Sequence, residues 1–222
     1  MRRIEALGVL AEETAGLPVV VTCAATSREL AAVADRPSHL YLLDSMGLAG
    51  SVATGVALGL ADTPVERVVA LEGDGSLLMN PNVLITGGYL RPAKLLVVLL
   101  DNHVYGSTAD LPTYAARIDL GALAAAAGWT VLRAREPRAL RAEFGRARRA
   151  VGPVLLHVRI SVGNAADVPK LLEDPVVLAR RFQDWLSARR GEQSGLSTGG
   201  KPDPSTGAAE TGPQDAGTEA AL

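Results

Sequence analysis

The segment Arg67-Val68-Val69-Ala70-Leu71-Glu72-Gly73-Asp74-Gly75-Ser76 decides how this chain folds. Its apolar run carries no alternating polar face, as expected of a strand covered on both sides. Gly73 and Gly75 then free the backbone to turn sharply and to approach a ligand closely. Asp74 brings a hard oxygen. A helix read as beginning at Ser76 turns its free N–H groups toward an anion. By itself such a turn is equally well a plain strand-to-helix connection capped by Asp74.

The same pattern repeats on either side. Short strands are predicted at Pro18–Thr22, His39–Leu43, Arg67–Leu71, Leu95–Leu100, Thr130–Arg133 and Val154–Ile160. Helical patterns occupy Ile4–Glu13, Arg28–Ala34, Gly47–Leu60, Pro81–Tyr89, Leu120–Ala127, Pro137–Ala150 and, last, Pro175–Arg190. Strand and helix in alternation predict an α/β fold, a doubly wound, mostly parallel sheet flanked by helices. No internal repeat is visible. Open parallel sheets bind ligands beyond the carboxyl ends of their strands. The loops after Thr22, Leu43, Leu71 and Leu100 are therefore where function is expected.

Composition narrows the class. Hydrophobic residues make up 48% of the 222 and aromatics only 4%, so Ala, Val and Leu must fill the core. One domain is expected over residues 1–190. From Gly191 to Leu222 the only large apolar residues are Leu196 and Leu222, and a disordered tail is expected there. A net charge of −2 without a basic block gives no reason to expect nucleic acid or an anionic membrane as partner. Glu12 and Glu13 interrupt the stretch after Met1-Arg2-Arg3, unlike the apolar core of a signal peptide. The stretch Met46–Ala61 is too short and Gly-rich to span a bilayer. A single cysteine, Cys23, rules out an internal disulfide; it is expected to be buried and inert. A cytoplasmic location is expected.

The strand after the Gly-Asp-Gly turn ends in Leu100-Asp101-Asn102-His103-Val104-Tyr105-Gly106-Ser107. Asn102 is a second oxygen donor at the end of a neighbouring strand. Asp74, the Asn102 amide oxygen and a nearby backbone carbonyl can take three positions of an octahedron. Two diphosphate oxygens and a water can fill the rest, the all-oxygen set that magnesium favours.

These residues carry a resemblance. Gly73-Asp74-Gly75 with Asp101-Asn102 resembles the thiamine diphosphate signature, Gly-Asp-Gly followed by Asn-Asn. Together with Ser27-Arg28-Glu29, Ser45-Met46-Gly47 and Ser76-Leu77-Leu78-Met79-Asn80, residues 1–165 resemble phosphonopyruvate decarboxylase and the beta subunit of sulfopyruvate decarboxylase, over their diphosphate-binding domain only. The resemblance implies a thiamine diphosphate-binding fold and a magnesium ion held by Asp74, Asn102 and the Val104 carbonyl. It implies cofactor contacts from Asp44, Ser45, Met46, Gly73, Asp74, Gly75, Ser76, Asn102, Val104, Tyr105, Gly106 and Ser107. Met46 takes the place of the apolar wedge that keeps the cofactor bent; without the flanking motifs it would read first as a core filler.

Two departures stand out. Asp44 replaces a usual Gly, a strain if that position needs positive φ. Thr22-Cys23-Ala24-Ala25 stands where the family has Asn-Thr-Gly-Phe, so a diphosphate-binding hydroxyl is lost at Cys23, with Thr22, Thr26 or Ser27 as replacements. His103 is either a proton carrier in catalysis or a loop residue facing solvent. His39 and His157 fall in strands and read as structural.

The resemblance also implies a partner. The family's glutamate that protonates the cofactor pyrimidine comes from a pyrimidine-binding domain, which has no counterpart in this sequence. The expected assembly is a hetero-oligomer with a separate, alpha-type pyrimidine-binding subunit. It would act on a small anionic 2-oxo acid, releasing carbon dioxide and the aldehyde from phosphonopyruvate or sulfopyruvate. Two alternatives stay open at this point: an acetolactate synthase-like carboligase subunit, and a non-catalytic cofactor-binding module. A nucleotide-binding Rossmann domain ranks last, because Gly-x-Gly-x-x-Gly does not follow the first strand.

Overall fold

A computed structural model describes residues 1–194, with side chains as far as Arg189. All six predicted strands form one sheet: β1 (Val19–Val21), β2 (His39–Tyr41), β3 (Val68–Gly73), β4 (Leu95–Asp101), β7 (Thr130–Ala134) and β8 (Val154–Arg159). Their order is β2-β1-β3-β4-β8-β7, and every pairing is parallel. The remaining two strands, β5 (Val104–Tyr105) and β6 (Leu111–Pro112), form a small antiparallel ladder beside the sheet. A two-residue ladder has too short a pattern to be visible in sequence.

The helices are α1 (Arg3–Glu13), α2 (Ala25–Ala34), α3 (Ala49–Gly59), α4 (Asp74–Met79), α5 (Asn82–Leu90), α6 (Leu120–Ala126), α7 (Pro137–Arg149) and α8 (Pro175–Ser194). Three boundaries differ usefully from the sequence reading. Helix α2 starts three residues earlier than expected, so Thr26 and Ser27 lie in its first turn. Helix α4 starts at Asp74 rather than Ser76 and is separate from α5. Helix α8 continues past Arg190 to Ser194; the rest of the expected tail lies outside the described residues.

The uninterrupted apolar strands are explained by burial on both faces. Along β4, Leu96, Val98 and Leu100 join one core cluster, while Leu95, Val97 and Leu99 join the other. Val19 and Val21 of β1 likewise face one way and Val20 the other. The first cluster packs under α1, α2 and α7 through Leu7, Leu10, Leu30, Leu140 and Phe144. The second packs under α3, α5 and α6 through Ala53, Leu84, Leu120 and Trp129. This is the period of two that a strand imposes, with helices supplying apolar cover on each side. Gly87 and Gly88 let α5 approach closely: a Cβ on Gly87 would fall 2.3 Å from the Trp129 ring.

Arg67 fastens the amino-terminal edge of the sheet. Its side chain is buried and donates to the carbonyls of Ala93 (2.6 Å), Ala147 (2.8 Å), Arg148 (3.2 Å) and Gly152 (3.4 Å). Two of these carbonyls belong to the last turn of α7, where a cation also complements the helix dipole. The edge carrying Arg67 is opposite the carboxyl ends of the strands. Arg67→Met should therefore cost about 2–4 kcal/mol, since buried carbonyls lose charged donors. Urea unfolding should show a lower midpoint with an unchanged slope; an unaltered midpoint would mean the four bonds contribute no net stability.

Candidate functional site

The chain order places the reversal of direction between β1 and β3, where an open parallel sheet leaves a crevice at its carboxyl edge. A cleft opens there. Its walls come from Thr22 and the start of α2, from Gly73 to Ser76, from Asn102 and from the loop Val104–Ser107. Met46 lies on its rim, and Arg3 and Asn164 also reach it.

Parallel pairing of β3 with β4, in the register Gly73↔Leu100, brings the two halves of the predicted metal site together. The Asn102 backbone N–H donates to Asp74 Oδ1 at 3.3 Å. Thr113 Oγ1 donates to Asp74 Oδ2 at 2.6 Å. The Asn102 amide oxygen accepts from the Val104 N–H at 3.0 Å, which curls the loop back over the strand end. Asp74 is 2% exposed and has no ion-pair partner among the described residues. Burial pushes its carboxyl above the usual range, and the charge of Asp101 adds to that; the Thr113 and Asn102 bonds work the other way.

Ser76 organises the opposite wall. Its hydroxyl pairs with Thr22 Oγ1 at 2.8 Å and accepts from the Gly47 N–H at 2.8 Å. That second bond ties the turn carrying Met46 to the Gly-Asp-Gly loop. Asn80 reinforces it by donating to the Gly47 carbonyl at 3.1 Å. Gly75 is required by a close approach: a Cβ there would lie 2.6 Å from the Tyr105 ring. Among the hydroxyls weighed as replacements at Cys23, Thr22 and Thr26 line the cleft, whereas Ser27 donates back to the Thr22 carbonyl. Cys23 is buried, and burial raises its thiol.

Ten of the residues expected to contact a cofactor line this one cleft: Met46, Gly73, Asp74, Gly75, Ser76, Asn102, Val104, Tyr105, Gly106 and Ser107. Asp44 and Ser45 do not; both are exposed beside it. Nor is Asp44 the strained position. The left-handed residue of that turn is Gly47, at φ 78°. His103 is also placed elsewhere. It belongs to an adjoining cleft at the ends of β4, β8 and β7, where its Nδ1 meets Arg159 Nη2 at 2.7 Å. Whether His103 is read as proton carrier or as loop residue, the lining of the cleft of Asp74 does not include it.

The Asp101 departure from the Asn-Asn signature has a local explanation. Its carboxylate accepts from His157 Nε2 at 2.7 Å, from Arg159 Nη1 at 3.1 Å and from the His103 N–H at 3.1 Å. Burial opposes ionisation, but His157, His103 and Arg159 outweigh it and hold the carboxyl below the usual range. An Asn amide could not accept from all these donors without turning its own NH₂ toward them. Asp101 anchors the turn at His103, which is left-handed at φ 65°.

Sequence reading missed Arg3, Thr113 and Asn164. None belongs to a motif: Arg3 and Asn164 line the cleft from distant parts of the chain, and Thr113 reaches Asp74 from just beyond the loop Val104–Ser107.

Carboxyl-edge cleft, all-parallel sheet and glycine turn together define a class: an α/β domain built to hold a phosphorylated cofactor. The family model for the thiamine pyrophosphate enzyme, C-terminal TPP binding domain, matches residues 22–158. Sulfopyruvate decarboxylase subunit beta of Methanothermobacter thermautotrophicus is 41% identical over 186 residues, covering 82% of this chain and 94% of that one. Phosphonopyruvate decarboxylase of Streptomyces hygroscopicus is 37% identical over 180 residues, 81% of this chain but 44% of that one. Among solved structures, benzoylformate decarboxylase from Polynucleobacter necessarius superposes with a TM-score of 0.63 at 23% identity, covering 74% of this chain and 34% of that one. A 4-hydroxybenzoylformate decarboxylase from Rhodococcus jostii gives 0.62 at 18% identity, covering 74% and 33%. The chain thus spans under half of the phosphonopyruvate decarboxylase and about a third of those solved chains. At these identities the solved structures speak for the fold alone. The chain belongs to the thiamine pyrophosphate enzyme family, among its decarboxylases.

Ala24 precedes α2 at φ 62° and ψ −133°, a conformation unfavourable to any residue with a Cβ. Ala24→Gly should stabilise the protein by about 1 kcal/mol, raising Tm by roughly 2–4 °C. A lower Tm would show that the backbone there is relaxed.

Asp101→Asn should destabilise the protein at neutral pH. A depressed folded-state pKa contributes stability that is present above the unfolded value, about 3.9, and is lost as pH falls through the folded one. The gap between wild type and variant, read from urea midpoints, should therefore narrow as pH drops from 6 toward 3. A gap independent of pH would place the effect in packing rather than charge.

Proposed function

We propose that the cleft holds thiamine diphosphate through a magnesium ion, and that the chain is the diphosphate-binding subunit of a 2-oxo acid decarboxylase. The observation that carries this reading is Asp74. A buried carboxylate with no cationic neighbour among the described residues is costly unless a cation completes it. Among those residues no group of three His, Cys, Asp or Glu side chains gathers about a metal position. A cation here would draw on the Asn102 amide oxygen and the Val104 carbonyl besides Asp74. That neutral and anionic oxygen set suits magnesium shared with phosphate oxygens.

Thr22, Thr26 and Ser76 offer hydroxyls to the diphosphate, and Gly73 and Gly75 let the backbone close on it. Met46, 36% exposed on the rim, would support the bend of the cofactor. When bound, thiamine diphosphate supplies the electron sink for loss of carbon dioxide from a 2-oxo acid. The chain's own residues bind and orient. Asp74 is the sole carboxylate lining the cleft among the described residues, and it is committed to the cation. In this reading the carboxylate that holds a proton at the pyrimidine ring comes from a separate subunit.

The beta-subunit relative, similar over nearly its whole length, supports a separate partner subunit. So does the exposed apolar surface: Met79, Ile85 and Tyr89 on α4 and α5, and Leu111 and Tyr114 beside the cofactor loop, with Tyr89 86% exposed. Such a surface on one flank of a cleft marks an association face. The relatives' names support phosphonopyruvate or sulfopyruvate as substrate. Among the described residues no helix is long and apolar enough to cross a membrane.

The test is carbon dioxide release from phosphonopyruvate and from sulfopyruvate. The chain alone should be silent, and the chain with its pyrimidine-domain partner active. Asp74→Ala should abolish activity and remove the magnesium dependence of cofactor binding. Turnover by the chain alone would refute the split site. An intact pair that binds cofactor but turns over neither acid would favour carbon–carbon ligation or a binding module.

A further inference from the structure

At the far end of the cleft, beside the start of α2, a buried cluster joins three segments that are remote in sequence. Arg3 opens α1, Glu29 lies on α2, and Asn164 sits in the loop after β8. Arg3 Nη1 donates to Glu29 Oε1 at 2.9 Å and to Asn164 Oδ1 at 2.9 Å. The Ala165 N–H also donates to Glu29 Oε1, at 3.1 Å. Asn164 in turn reaches the cofactor loop, its Nδ2 donating to the Gly106 carbonyl at 3.4 Å.

The pairing of Arg3 with Glu29 is one-sided. Both side chains are nearly buried, 8% and 2% exposed, a setting in which a guanidinium usually grips both carboxylate oxygens with two parallel bonds. Here Glu29 Oε2 is buried without a hydrogen-bond partner, and one nitrogen, Nη1, serves both Glu29 and Asn164. The other nitrogen is turned away. Nη2 lies 3.9 Å from where a Cβ on Gly106 would be, beside the loop that closes the cleft. Arg3 is the only cationic side chain lining the cleft among the described residues. Glu29 and Asn164 thus hold a guanidinium still, with one edge free, at the end of the cleft formed by Ala25, Thr26 and Gly106.

We infer that Arg3 is a binding residue for the terminal phosphate of the cofactor diphosphate, with Glu29 and Asn164 as its positioning residues. The assignment rests on the cofactor reading of the cleft. A magnesium ion and Asp74 leave the bound diphosphate with net negative charge, and the free guanidinium edge is suited to two phosphate oxygens. Although Arg3 and Glu29 together are neutral, the guanidinium edge offers charge-assisted donors where the hydroxyls of the cleft offer only neutral ones. A substrate anion is the competing occupant, and the two differ in what they leave for a cofactor binding measurement without substrate.

The experiment is calorimetric titration with magnesium present, using thiamine diphosphate and thiamine monophosphate as paired probes. It is run on the full chain and on its complex with the partner. Arg3→Gln should weaken diphosphate binding roughly 10- to 100-fold, the size of a lost charge-assisted bond. It should change monophosphate binding little, since the terminal phosphate is absent. Arg3→Gln leaves Glu29 buried and unpaired, so the double variant Arg3→Gln/Glu29→Gln is included to keep the fold intact. The same selective loss is expected from it. Equal diphosphate affinity in wild type and both variants overturns the assignment. So does an equal loss for both probes, which would mark a structural role. If diphosphate affinity is unchanged but the KM for the 2-oxo acid rises, Arg3 serves the substrate and the assignment is wrong. Failure of the wild-type chain to bind thiamine diphosphate, alone or with its partner, sinks the cofactor reading itself.

Discussion

Everything at the carboxyl edge depends on the parallel pairing of β3 with β4. The ladder runs without a bulge from Val68↔Leu95 to Gly73↔Leu100. Its end sets where Asp74 and Asn102 emerge, and their separation follows from the spacing of neighbouring strands. A slip of one residue would exchange the two faces of β4, turning Leu96, Val98 and Leu100 into the wrong cluster. The apolar pattern that builds the core therefore also guards the geometry of the site. Stability and binding share one constraint, although the residues that satisfy each are different.

Two carboxylates near that edge show how a buried charge can be treated in opposite ways. Asp101 is surrounded by His157, Arg159 and the His103 N–H, and its charge is settled within the chain. Asp74 receives only a hydroxyl and a backbone N–H, and burial keeps it reluctant to ionise. The first makes a rigid post for the loop. The second has no cationic partner among the described residues. Because Asp101 is fully engaged, its departure from the Asn of the signature changes the loop's support and not the oxygen donors facing the cleft.

The turn that carries Met46 is joined to the Gly-Asp-Gly loop through Ser76, and the start of α2 is joined to it through Thr22. A single hydroxyl thus links three loops from three different strands. This is how a small, aromatic-poor domain keeps a cleft in shape: hydrogen bonds between strand ends hold what the Ala, Val and Leu core cannot reach. Strain is placed in the same region, at Ala24 and His103, where the backbone must turn toward the cleft.

The sheet, its helical cover and most of the cleft are legible in the order of the amino acids. Short continuous Val and Leu runs alternating with helical patterns fit strands buried on both faces, and the glycine turn with Asp74 and the later Asn102 marks the strand ends that meet. These signals are local and periodic, so they survive without coordinates. Tertiary packing settles matters of another kind. It set Arg3 in the cleft from the beginning of the chain, and it brought Thr113 onto Asp74 and Asn164 onto Gly106. It turned His103 into the neighbouring cleft and left Asp44 in solvent. It put the left-handed position of the turn carrying Met46 at Gly47 rather than at Asp44. Each of these depends on which way a side chain points when distant segments pack, and no spacing along the chain encodes that direction.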